Sequence, residues 1–149
     1  MRAITVSAPA RLHLGFVDLN GSLGRKYGSI GLAVDQPATT LTVRPAPEFR
    51  ASGAEAERAE KALRRFAGLF AADNTYEVDV QSAIPAHAGL GSGTQLALAI
   101  GAAVLKLSGS EASASMLGEV VERGARSAIG ITAFERGGFI VDGGRGTSG

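Results

Sequence analysis

The stretch PAHAGLGSGTQLALAIGAAV, residues 85–104, decides the reading of this chain, because a glycine-dense loop runs directly into a long apolar segment. Such a loop aims backbone N–H groups and the positive end of a helix dipole at one point, a natural seat for a phosphate or pyrophosphate. Gly89, Gly91 and Gly93 let the main chain approach a bound anion, with Leu90 between the first two. Ser92 offers a hydroxyl at the helix start and Thr94 a second within the first turn. His87 is either an anion contact or a turn residue bonded to the backbone. The loop is not a Walker A motif, since no GK[ST] follows, and it does not fit GxGxxG behind a strand. The plain alternative is a capped turn ahead of a core helix.

Working outward, residues 92–107 are apolar on nearly all sides, as a central helix against a sheet would be. Ahead of the loop, Tyr76, Val78 and Val80 alternate as a strand. Before that, Ser52 and Glu55 stand in capping-box spacing, and Leu63, Phe66, Ala67 and Phe70 form one face of a helix. Glu57 with Lys61 and Glu60 with Arg64 sit four apart on its outside, a solvated face. The first third predicts a sheet: two strands broken at Pro9, an Asn20-Gly21 turn, then strands at 30–34 and 39–43. A second helical pattern runs through Leu117, Val120, Val121 and Gly124, and residues 137–141 read as a closing strand. Strands followed by helices argue for an α+β layer. One domain is expected over residues 1–142, with 143–149 a flexible glycine-rich tail.

Composition limits the function. A net charge of +1 and 5% aromatic residues supply neither a basic field nor stacking platforms, so nucleic acid is not the expected partner. Without cysteine there is no disulfide framework and no thiolate chemistry, and the opening residues lack a signal-peptide core, which points to the cytoplasm. The longest apolar run, residues 96–105, is too short to span a bilayer, so no membrane association is expected. The 21 glycines among 149 residues are about twice the usual share and imply close backbone approaches.

Two motifs carry a resemblance. The segment from Pro85 is similar to the PxxxGLGSSA phosphate motif of the galactokinase, homoserine kinase, mevalonate kinase and phosphomevalonate kinase (GHMP) superfamily, and APARLHLG, residues 8–15, resembles its first motif. The resemblance implies the superfamily's amino-terminal domain: a mixed sheet with helices packed on one face and a left-handed crossover. Two departures stand out. Gly93 and Thr94 occupy positions where kinases of this group commonly have Ser and Ala, and Gly130 stands where a catalytic Asp is often found. Residues 11–37, RLHLGFVDLNGSLGRKYGSIGLAVDQP, and 126–144, RSAIGITAFERGGFIVDGG, resemble a non-kinase branch, the β-ribofuranosylaminobenzene 5'-phosphate synthases of tetrahydromethanopterin biosynthesis.

That branch implies condensation of phosphoribosyl pyrophosphate with a para-substituted benzoate, releasing CO2 and pyrophosphate, with Mg2+ accompanying the pyrophosphate. The glycine loop would cradle pyrophosphate, and Arg11, His13, Asp18 and Arg25 would form the substrate region. Arg11 or Arg25 suits a carboxylate or phosphate through a bidentate fork, and Asp18 or Asp35 suits ribose hydroxyls or Mg2+. Arg11 is alternatively a solvated strand residue and Asp18 a turn residue ahead of Asn20-Gly21. An ATP-dependent small-molecule kinase and a non-catalytic phosphate-binding module stay open as alternatives. The superfamily's carboxy-terminal domain is absent from residues 1–149, so a homodimer, or a partner supplying that half, is the expected way of completing the cleft.

Overall fold

A computed structural model describes residues 2–17, 25–26, 28–86, 91–109, 117, 139–142 and 145–146. In chain order the elements are β1 (Ile4–Val17), β2 (Arg25–Lys26), β3 (Gly28–Pro45), β4 (Arg50–Gly53), α1 (Ala56–Phe70), β5 (Tyr76–Ser82), α2 (Ser92–Leu107), β6 (Phe139–Asp142) and β7 (Arg145–Gly146). The main sheet runs β1-β3-β5-β4, and β6 pairs with β3. Pairing is antiparallel except between β4 and β5, so the sheet is mixed. A second, two-stranded ladder joins Arg25–Lys26 to Arg145–Gly146, the latter within the segment read as a tail.

Period-two alternation sorts the sheet's faces. Leu41, Val43, Val78 and Val80 are buried in one cluster with Leu63, Phe66, Leu98, Ile100 and Val104 of the helices. The intervening positions form a polar outer face: Thr5 and Thr42 hydroxyls meet at 2.9 Å, Arg44 donates to Glu77 at 3.3 Å, and Ser52 donates to Asp79 at 3.2 Å. Both helices therefore lie on one side, as the α+β reading expects. Burying each large apolar side chain contributes about 1.5–3 kcal/mol. Gly101 lets the helices close: a Cβ there would stand 2.8 Å from Phe66 Cε1 and 3.0 Å from Leu117 Cδ2. No described helix is long and apolar enough to cross a membrane.

The observed elements differ from the expected ones in three places. The two N-terminal strands are one strand, β1, whose register shifts between Pro9 and Ala10. Pro9 is tolerated because β1 is an edge strand, where a missing N–H breaks no inner ladder. Likewise the strands at 30–34 and 39–43 are one strand, with residues 35–37 looped out opposite the Pro9/Ala10 shift. Ser52 does not cap α1. It lies in β4, an unexpected strand, and the N-cap is Glu55 in the left-handed region at φ 55°, with no side-chain capping bond. On α1, Glu60 and Arg64 pair at 2.9 Å, whereas Glu57 and Lys61 form no ion pair within 4.0 Å. The Asn20-Gly21 turn and the pattern from Val120 to Gly124 lie outside the described residues.

Candidate anion site at the start of the second helix

The N-terminus of α2 opens on Gly91, its N-cap, at φ 80° and ψ 27°, and no side chain caps it. The first intrahelical bond, Gln95 N–H to the Gly91 carbonyl, is 3.1 Å. The amides of the preceding first-turn residues, Ser92, Gly93 and Thr94, have no partner of that kind, which is general at a helix start and concentrates partial positive charge there. Thr94 and Gln95 are buried, while Gly91, Ser92 and Gly93 are half-buried.

Arg11 comes to this point from β1. An ideal Cβ at Gly91 would lie 3.0 Å from both Cγ and Nε of Arg11 and 3.3 Å from its Cζ. Strict alternation from Thr5 and Ser7, which bond to Thr42 and Thr40 on the outer face, would carry Arg11 to that face too. The register shift at Pro9/Ala10 lies between those residues and Arg11, with its extra residues in β3. Arg11 meets the start of α2.

The electrostatics are one-sided. Ion pairs among the described residues engage Arg44, Arg50, Arg58 and Arg64, and none engages Arg11. Burial pushes the Arg11 guanidinium below its ordinary pKa, the direction expected when a cation loses water without gaining a carboxylate. A half-buried cation beside the positive end of a helix is self-consistent once an anion sits between them.

Of the residues expected at a site, the structure brings together Arg11 and Gly91, with Ser92, Gly93 and Thr94 following in the first turn of α2. His13 lies in β1 opposite Gly31, and Arg25 in β2 opposite Gly146. Asp18, His87, Gly89 and Leu90 lie outside the described residues. Sequence reasoning did not foresee the Arg11–Gly91 approach, because pairing across more than seventy residues leaves no local signal. Nor did it foresee the polar depression of about 240 Å³ on the outer sheet face, lined by Arg44, Arg50, Ser52, Glu77, Val78 and Asp79.

Comparison with known proteins places these observations. Residues 55–138 match the family described as GHMP kinases N terminal domain. The chain is 37% identical over 146 residues to the beta-ribofuranosylphenol 5'-phosphate synthase of Archaeoglobus fulgidus, covering 97% of this chain and 46% of that protein. It is also 37% identical over 151 residues to the enzyme of that name from Methanothermobacter thermautotrophicus, covering 95% and 46%. The chain thus spans about half the length of the curated relatives it matches. Among solved structures, the Methanococcus jannaschii mevalonate kinase superposes with a TM-score of 0.70 at 14% identity, over 99% of this chain and 56% of that one. At that identity the likeness shows the fold alone.

Proposed function

This chain belongs to the GHMP kinase amino-terminal domain family, and on that premise we propose that it forms the pyrophosphate-holding part of a ribofuranosyl-phosphate transferase. The observation that carries this reading is the approach of Arg11 to Gly91 at the N-terminus of α2, which sets a cation beside a helix start. The relatives named beta-ribofuranosylphenol 5'-phosphate synthase supply the substrate class. On the condensation that the resemblance implies, with phosphoribosyl pyrophosphate as donor, a phenol product corresponds to 4-hydroxybenzoate as the para-substituted benzoate acceptor.

In that reaction the bond from ribose C1 to pyrophosphate breaks and a bond forms from C1 to the ring carbon bearing the carboxylate. CO2 then leaves, and the electrons of its bond return to the ring. Atoms and charge balance without a general base. The hydroxyl para to the attacked carbon donates into the ring and stabilises the positive charge that develops there. Arg11 and the first-turn amides of α2 would hold the charge that accumulates on departing pyrophosphate, which is where such a site accelerates the reaction. Mg2+ on the pyrophosphate oxygens would neutralise further charge. Among the described residues no three or more His, Asp or Glu gather as a metal site, and we assign that ion to the substrate. We assign His13, Asp18 and Arg25 to the ribose and benzoate side on the resemblance of residues 11–37 alone. Because the chain spans 46% of these relatives, part of the acceptor pocket is assigned to the portion it does not span.

Calorimetric titration with Mg2+ present, by phosphoribosyl pyrophosphate and in parallel by ATP, tests the reading. Phosphoribosyl pyrophosphate is expected to bind at least about tenfold more tightly, and Arg11→Ala to weaken it about tenfold or more, the value of a charge-assisted hydrogen bond. Preference for ATP would favour the kinase alternative instead, and binding of neither ligand would overturn the anion site.

A further inference from the structure

The glycine at position 91 is expected to serve a ligand, by letting main chain approach an anion. The geometry adds a second task. The space its Cβ would fill is closely bordered by the Arg11 side chain, with Cγ and Nε at 3.0 Å and Cζ at 3.3 Å. Contacts of 3.0–3.4 Å are tighter than nine in ten real Cβ contacts, so a Cβ at 91 would press the Arg11 side chain aside by a few tenths of an ångström. The left-handed φ of 80° adds a separate cost for every residue except glycine, smallest for asparagine.

We propose that Gly91 is a positioning residue for Arg11: by having no side chain it seats the guanidinium across the first turn of α2, fixing cation and helix start as one anion-binding unit. The unit is assembled across the fold, because Arg11 is held by β1 pairing with β3 opposite Ala33, while Gly91 is fixed by the start of α2. β1 and α2 also meet in the apolar core, where Ala8 joins Leu98 and Val104, and the Arg11–Gly91 contact is where the cation reaches the helix start. Half-burial of Arg11 without an ion pair among the described residues keeps the guanidinium available to a ligand.

The inference rests on the anion site proposed above, and its test separates the two. In the ligand-free 149-residue chain, the Arg11 Nε–Hε signal is assigned by its loss in Arg11→Lys and followed by NMR in Gly91→Ala and Gly91→Asn. Both variants carry a Cβ, and asparagine tolerates the left-handed backbone, so folding strain and contact are told apart. The expected result is a displaced Arg11 signal in both, with the remaining amide spectrum preserved. An unmoved signal overturns the proposal whatever the chain binds. Affinity for inorganic pyrophosphate is then measured in a cycle of Arg11→Ala, Gly91→Ala and the double variant. Each single change is expected to weaken binding about tenfold or more, and the double to lose less than the product of the two, because alanine at 91 has no guanidinium left to displace. Independent, multiplying losses would overturn the coupling. If the unaltered chain binds no pyrophosphate, the anion site falls, and the NMR signal alone decides the positioning.

Discussion

At the scale of single residues, Tyr76 shows how burial alone sets a pH limit. Its side chain is 2% exposed at the start of β5, and loss of water raises the phenol above its ordinary pKa of 10.0, with the Asn74 side-chain hydrogen bond pulling the other way. A folded-state pKa above the unfolded one means that the stability is complete below about pH 10 and is lost as the pH rises through the folded value. Urea unfolding of the unaltered chain should therefore become easier as the pH rises above about 10. In Tyr76→Phe, which keeps the ring and removes the titrating group, the slope over that window should be shallower. Equal slopes in both chains would mean that other groups carry the alkaline transition.

At the scale of elements, β4 is the clearest case of structure decided from a distance. Gly53 ends it at φ 85°, and a Cβ there would run into the Val80 carbonyl. Gly53→Ala should cost about 1–3 kcal/mol, read as a lower urea midpoint at unchanged slope, through a forbidden φ and a parted β4–β5 pair. Ser52 and Glu55 satisfy capping-box spacing, yet Ser52 Oγ bonds Asp79, twenty-seven residues on. A local pattern cannot weigh that competing partner. The buried face of α1 was legible, because Leu63, Phe66 and Ala67 repeat at helical intervals, although Phe70 on the same stripe stays 39% exposed and stacks on Phe66 at 6.3 Å. The glycine loop and APARLHLG were legible as motifs for the same local reason. That Arg11 and Gly91 meet was not, since a strand residue and a helix start eighty positions apart in the sequence are brought together only by the tertiary fold.

At the scale of the whole molecule, β1 and α2 both pack into the one main apolar cluster, which also holds Phe66, Leu98 and Val78. An anion bridging Arg11 and the start of α2 would tie an edge strand to the central helix, so its binding free energy should appear in the stability of the entire core rather than of one loop. For a ligand that binds only the folded chain, 100 times its Kd adds about 2.7 kcal/mol. At about 2–4 °C per kcal/mol for a chain near this length, pyrophosphate at that excess should raise the Tm by roughly 5–10 °C. The net charge of +1 supplies little long-range field, so the attraction comes from the partly buried pair of cation and helix start. The rise should consequently survive a change from 50 to 300 mM sodium chloride with less than about a tenfold loss of affinity. It should fall to about half or less in Arg11→Ala, the consequence of a tenfold or greater loss of affinity, and that variant's own Tm in the absence of pyrophosphate should be equal to or above that of the unaltered chain, because the variant removes a half-buried cation that has no ion pair among the described residues. An undiminished Tm rise in Arg11→Ala would move the binding away from Arg11 and the start of α2, and one abolished by modest salt would make it a surface effect.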